Sequence, residues 1–334
     1  MKRTHNAEWI DRLMILREIL DPDRIPANLL EEAVHANPWF SAHEIRRSLK
    51  GIRQWLEADL LTDFLGRYNK PPSAKLNVGV IAAGNLPLVC MHDVLAVLIS
   101  GNRLWLKPSS QDKVLIQWIM KNWISTSPKL SEEVNLVEYV QTPDCLIATG
   151  SNNTARYLES EYGHIPRLIR KNRFSVGLLG EWTSGEDVCN LMEDIFSYNG
   201  LGCRNVTNLV ILPGFAWEMW ETALRNFPQT DLHPLYLERY LSVKVQMQMQ
   251  GKNFQDGHSI LRLPSADLQY NSMAVIHEVT LGSMEEWEVL ARKHREHIQC
   301  IVGTEVPYGA AQYPAIDDFA DGVDTIQWLQ NCCK

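Results

Sequence analysis

Residues 77–110 read NVGVIAAGNLPLVCMHDVLAVLISGNRLWLKPSS. Asn77 to Ala83 is a short apolar run rich in β-branched residues, the pattern of a buried strand. Gly84-Asn85-Leu86-Pro87 turns the chain. Leu88 to Ser100 is apolar at helical length, and Gly101 suits the left-handed position just past a helix end. Arg103 to Lys107 forms a second strand, stopped by Pro108. Strand, helix and strand in this order make a parallel crossover.

The same rhythm continues outward. Gln111 to Ile124 reads as a helix, Val134 to Val140 and Cys145 to Thr149 as strands, and Asn152 to Glu161 as a helix. Ser175 to Leu179 is a strand and Glu186 to Tyr198 a helix. Beyond Cys203, strands are expected at Val206 to Leu212, Ile260 to Leu263, Met273 to His277 and Gln299 to Val302. Helices are expected at Trp217 to Asn226, Leu235 to Met249 and Ser283 to His294. The alternating stretch VQMQMQ (245–250) is compatible with a strand, but its continuity with Leu235 to Leu241 favours helix. The pattern predicts parallel sheets covered on both faces, with ligands beyond the carboxyl ends of the strands. Before residue 70 the chain reads as helices. Ser41 and Glu44 have capping-box spacing, and Ile45, Leu49, Ile52, Leu56 and Leu60 follow at helical intervals.

At 334 residues the chain suits two packed lobes rather than one core. Its net charge of −8 and lack of a long basic run argue against nucleic-acid binding. The densest basic stretch is Arg167, Arg170, Lys171 and Arg173. Met1 to Asn6 is polar, with no apolar core of a signal peptide. Leu86 to Ser100 is interrupted by His92 and Asp93 and is too short to span a bilayer. Seven cysteines without a CxxC pair point to free thiols in a reducing, cytoplasmic setting, and no metal-ligand spacing stands beside them.

Four segments carry candidate chemistry. Gly200-Leu201-Gly202-Cys203-Arg204-Asn205 places a thiol at a bend between a helix and a strand. The glycines let backbone approach a substrate, and Arg204 could favour the thiolate. A packed cysteine in a glycine-rich turn is the alternative. Asn85 follows the first strand and could donate to an oxyanion or simply cap the next helix. Lys107 ends the second strand, where it could reach ribose hydroxyls or a phosphate, or stay solvated. Thr149-Gly150-Ser151-Asn152 opens a helix whose N-terminus could face a pyrophosphate. There is no G-x-G-x-x-G fingerprint. His92, His164 and His277 are isolated and read as core or surface residues.

Together these segments resemble the aldehyde dehydrogenase superfamily, and more closely the long-chain acyl-CoA reductases of bacterial luminescence operons. The resemblance rests on GNLP (84–87), GNRLWLKPSS (101–110), ATGSNNTARYLE (148–159), IRKNRFSV (169–176), DIFSYNGLGCRNVTNL (194–209) and PYGAAQYPAIDDFADGVDTIQWL (307–329). It implies an α/β, two-lobed fold, each lobe a mainly parallel sheet flanked by helices, with an N-terminal helical extension. The implied divisions are 1–72 for the helical segment, 73–200 for a Rossmann-like cofactor domain, 201–306 for a catalytic domain, and 307–334 for a segment returning to the cofactor domain. Cys203 would be the nucleophile, with Asn85 and the Cys203 N–H as oxyanion donors. Lys107 and Ser109 would contact the adenosine ribose, and Gly150 and Ser151 would flank the cofactor. Superfamily members that prefer NAD carry an acid three residues past that lysine. Here Ser110 stands there and leaves room for a 2′-phosphate, so NADPH is expected, with NADH as the alternative. The E-L-G-G glutamate of oxidising members has no counterpart at Arg170 to Arg173, which favours acyl transfer to or from a thiol over hydrolysis. Glu181 is the nearby candidate for a substitute base.

The implied activity is reduction of an acyl thioester, fatty acyl-CoA or acyl-carrier protein, to an aldehyde, with a homodimer as the default by analogy. Two alternatives stand beside it: an acyl-phosphate reductase of the glutamyl-phosphate type using the Arg167–Arg173 cluster, and a non-reducing acyl carrier.

Overall fold

The computed structural model describes residues 5–68, 74–150, 152–228, 232–270 and 273–332. The chain divides into two compact units, one of residues 1–171 and 314–334, the other of residues 172–313.

The first unit holds a five-stranded, wholly parallel sheet. Its strands are β1 (Asn77–Ile81), β2 (Arg103–Lys107), β3 (Val134–Leu136), β4 (Cys145–Thr149) and β5 (Arg167–Arg170). Their order is β3-β2-β1-β4-β5. The sheet therefore reverses its winding between β1 and β4, where ligands of open α/β sheets bind. The helix after β1 begins at Met91 rather than Leu88. Leu88 takes a left-handed φ of 59°, so residues 87–90 form a turn before the helix can start. Gly101, at φ 86°, ends it as expected. β3 stops short of Val140 because it is an edge strand whose single neighbour, β2, ends at Lys107. Arg167–Arg170, the first part of the basic stretch Arg167–Arg173, is the opposite edge strand, and charge on an edge discourages pairing with other chains.

Among the described residues, four helices precede β1: His5–Ile19, Ala27–Ala36, Ala42–Trp55 and Ala58–Gly66. Ser41 accepts from the Glu44 N–H at 3.1 Å, one half of the capping box the spacing predicts. Their buried faces, including Leu13, Leu16, Ile45, Leu49 and Leu61, share one core with Val78, Val80, Leu104 and Leu106 of the sheet. The C-terminal residues Ile316, Phe319, Ile326 and Leu329 complete that core. Arg170 fastens the returning segment. Its guanidinium bonds Asp93 Oδ1 at 2.5 Å, Thr325 Oγ1 at 3.0 Å and the Ala320 carbonyl at 2.9 Å.

The second unit holds a six-stranded sheet of β6 (Phe174–Leu179), β7 (Val206–Ile211), β8 (Gln255–Asp256), β9 (Leu261–Pro264), β10 (Val275–Thr280) and β11 (Ile298–Val302). The order is β11-β6-β7-β10-β9-β8, parallel except for the short β8 edge. β6 and β7 are buried at every position, as central parallel strands should be. Residues 234–249 are a single helix, so the alternating VQMQMQ stretch follows its length rather than its period. Among the described residues no helix is long and apolar enough to cross a membrane.

Candidate active site

In the second unit, Cys203 sits in the connection from the helix Gly185–Phe196 to β7. The helix opens with a reciprocal cap between Ser184 and Asp187. It ends in a 3-10 turn, Ser197–Gly200, in which Tyr198, Asn199 and Gly200 all have positive φ. Three left-handed residues in succession need outside support. Asn205, fully buried, supplies it. Its Nδ2 donates to the carbonyls of Asp194 (3.1 Å), Ile195 (3.2 Å) and Ser197 (2.8 Å), the acceptors a helix leaves open at its C-terminus. Its Oδ1 accepts the Gly202 N–H at 2.8 Å. The Ser175 hydroxyl, on β6, donates to the Cys203 carbonyl at 2.9 Å. The backbone of the turn is thus held from two sides while the Cys203 residue itself is exposed.

Two further groups support this turn. Cys300, on β11, lies 3.2 Å from the same Ser175 hydroxyl, and burial pushes its thiol up to about 11. Asp194 accepts the N–H groups of Gly309 (2.6 Å) and Ala311 (2.9 Å), which ties the stretch 309–311 to the helix that leads into the cysteine turn. Burial raises its carboxyl to about 6 against the lowering effect of those two bonds. The sequence reading finds Cys203 through its flanking glycines. It misses Asn205, Ser175 and Asp194, for which the only local signal is a polar residue inside or beside an apolar run.

Glu181 does not serve Cys203 as a base. It follows the carboxyl end of β6, whereas Cys203 lies at the amino ends of β6 and β7, where Ser175 pairs with Val206. Six residues of extended chain separate the two ends by about 20 Å.

In the first unit, Asn85, Lys107 and Gly150 stand at or just beyond the carboxyl ends of β1, β2 and β4. Asn85 follows β1 and is exposed. The next helix takes Cys90 as its N-cap, so Asn85 does not cap it. Gly150 follows β4 at the reversal of winding, with its N–H on the Arg170 carbonyl at 3.3 Å. Ser151 lies outside the described residues. Lys107 and Ser110 line a cleft at the ends of β2 and β3, together with Pro108, Lys113, Gln117 and Glu138. Two lysines and a serine among these residues could hold the phosphate and ribose of a dinucleotide. Ser109 turns elsewhere. Its hydroxyl accepts from the Gln111 N–H at 3.3 Å and abuts Gly84, where a Cβ would collide with it.

Glu138 is a residue of this cleft that the sequence reading misses. Its carboxylate pairs with Lys113 at 2.8 Å. The hydrogen bond and charge of Lys113 hold it below the ordinary carboxylate range. An acid is therefore present beside Ser110, supplied by the residues after β3 instead of by the position three past Lys107.

The basic residues each have their own partners within their unit. Arg170 is consumed by Asp93, Thr325 and Ala320, Lys171 pairs with Glu159 at 2.9 Å, and Arg167 donates to the carbonyls of Gly163 and Ile165. Arg173 belongs to the second unit and donates to the Ile298 carbonyl at 3.2 Å.

Residues 40–174 match the family model described as acyl-CoA reductase (LuxC). No curated protein matches the chain in sequence. Solved structures do. PutA of Anabaena variabilis, described as an aldehyde dehydrogenase, has a TM-score of 0.63 at 16% identity, covering 92% of this chain and 77% of that one. An NAD-dependent benzaldehyde dehydrogenase of Corynebacterium glutamicum has a TM-score of 0.62 at 13% identity, covering 86% and 76%. An aldehyde dehydrogenase of Bacillus cereus, solved with NAD+, has a TM-score of 0.60 at 14% identity, covering 87% and 71%. The chain has the aldehyde dehydrogenase fold, and over residues 40–174 it matches the acyl-CoA reductase (LuxC) family.

Proposed function

We propose that this chain is an oxidoreductase that reduces an acyl thioester to an aldehyde through a covalent acyl group on Cys203. The observation that carries the reading is the cysteine turn: an exposed Cys203 on a backbone pinned by Asn205 and Ser175. A nucleophile held without freedom to retreat needs little reorganisation to attack.

In the proposed reaction the Cys203 sulfur adds to the thioester carbonyl. The Cys203 N–H and the Asn85 amide donate to the oxyanion. The oxyanion then collapses and the leaving thiol departs, a nearly balanced exchange between two thiol esters. A nicotinamide cofactor, when bound, would supply the hydride for the acyl carbonyl carbon. Lys107, Ser110 and Lys113 would hold its adenosine end, with NADPH the preferred form and NADH accepted. Cys203 finally leaves as thiolate and releases the aldehyde. With Glu181 at the far end of β6, that residue is not placed to activate a deacylating water at Cys203, which favours thioester chemistry.

Intact mass after incubation with a panel of acyl-CoAs, without cofactor, tests this reading. An adduct of one acyl group is expected, absent in Cys203→Ala and discharged by NADPH as aldehyde. An adduct that persists in Cys203→Ala, or one that neither NADPH nor NADH discharges, would overturn it. An adduct formed only from acyl phosphates would favour the phosphoreductase reading instead.

A further inference from the structure

The loop that carries Asn85 is not left to solvent. Three side chains from three separate elements converge on its backbone. Asn37, immediately after the helix Ala27–Ala36, donates from Nδ2 to the Gly84 carbonyl at 3.0 Å. Its own Oδ1 is engaged by the Trp39 N–H at 3.0 Å, so the amide is fixed in orientation. Ser48, inside the helix Ala42–Trp55, donates to the Pro87 carbonyl at 2.7 Å. Asp112, before the helix Lys113–Ile124, accepts the Leu88 N–H at 2.7 Å. All three side chains are buried, at 1%, 8% and 2% exposure.

The pattern is unusual for a surface loop, whose backbone groups ordinarily meet water. Residues 84, 87 and 88 are clamped, Leu88 is held in a left-handed conformation foreign to leucine, and Gly84 is pressed against Ser109. Asn85 is the exposed side chain within the clamped stretch. A hydrogen-bond donor aids a transition state in proportion to how well it is held before the charge appears.

We propose that Asn37, Ser48 and Asp112 are positioning residues that fix the Gly84–Leu88 loop so that the Asn85 amide is preorganised for the oxyanion. The helical region before β1 thereby takes part in the reaction, through Asn37 and Ser48. The proposal rests on the reading of Asn85 as an oxyanion donor.

The test measures the single-turnover rate of Cys203 acylation by a long-chain acyl-CoA in the full-length protein, with the steady-state KM for the same substrate. Ser48→Ala should slow acylation by on the order of 10- to 100-fold with KM unchanged. Ser48→Thr, which restores the hydroxyl, should recover most of the rate. Tyr68→Phe removes a 2.7 Å bond to Asp324 elsewhere in the same unit and should leave the rate unaltered. Because Ser48 acts through Asn85, adding Ser48→Ala to Asn85→Ala should cost little more than Asn85→Ala alone. Asn37→Ala, read the same way, serves if Ser48→Ala does not fold. A slow Asn85→Ala beside a Ser48→Ala at full rate, or equal losses from Ser48→Ala in both backgrounds, overturns the clamp alone. An Asn85→Ala variant at full rate overturns the oxyanion reading and the clamp with it.

Discussion

The side-chain oxygen of Asn205 accepts the N–H of Gly202 at 2.8 Å, closing the turn that presents Cys203. The same amide donates to three carbonyls at the end of the preceding helix. One buried side chain thus satisfies both the end of a helix and the start of the cysteine turn. Asn205→Ala leaves those groups buried and unpaired and should destabilise the protein by about 1–3 kcal/mol. Asn205→Asp should be worse, since a carboxylate would face three carbonyl oxygens. Urea unfolding of the two variants checks the order; an aspartate variant as stable as the parent would sink the account.

Cys300 and Cys203 approach the same Ser175 hydroxyl, one through its sulfur and the other through its backbone carbonyl, yet their fates with alkylating agents should differ. With its thiol pushed up to about 11, Cys300 is thiolate in only about one molecule in a thousand at pH 8, and it is buried as well. Iodoacetamide should therefore modify the exposed Cys203 and Cys189 first and spare Cys90, Cys145 and Cys300. Prior acylation should protect Cys203 and leave Cys189 reactive. Peptide mass mapping over time resolves this, and equal labelling of Cys300 and Cys203 would contradict it.

Much of this architecture is legible in the chain because buried parallel strands are short apolar runs. Arg103–Lys107 and Cys145–Thr149 are readable to the residue, and the cysteine turn announces itself by its glycines. What stays hidden depends on partners far away in sequence. Ser48 shows in the sequence only as a polar interruption of a helix, since its bond reaches Pro87, 39 residues on. Glu138 carries no periodic signal because only the ordering β3-β2 sets it beside Ser110. Arg170 looks like part of a basic surface until Asp93 and Thr325 are seen to bury it. Charge clusters read along a chain say little about which charges are already spent.

Asp112 should make stability depend on pH in a defined direction. Burial raises its carboxyl from an ordinary 3.8 to about 8, against the lowering effect of the Leu88 N–H. The folded protein therefore keeps a proton that the unfolded chain has released. The stabilisation is full below about pH 4, declines as pH rises, and is gone above about pH 8, at most about 1.4 kcal/mol per pH unit from this group. Asp112→Asn keeps an acceptor for Leu88 and cannot ionise. The stability of the parent relative to this variant should fall steadily from pH 4 to 8; a flat difference would show that Asp112 is ionised in the fold.

The cleft at Lys107 makes the last prediction. If the cleft holds the adenosine ribose as proposed, Ser110 would leave space for a 2′-phosphate, while the Glu138 carboxylate would suit ribose hydroxyls and repel that phosphate. Lys113 arbitrates, since it neutralises Glu138 in the pair seen here and could instead meet a phosphate. Glu138→Gln removes the repulsion and should lower the KM for NADPH several-fold while weakening NADH. Lys113→Gln should do the reverse, raising the KM for NADPH and leaving NADH little altered. Both effects should shrink as salt rises, because Glu138 is exposed and Lys113 partly so. If neither substitution moves the ratio of NADPH to NADH efficiency, the choice between the cofactors is made by residues other than these two.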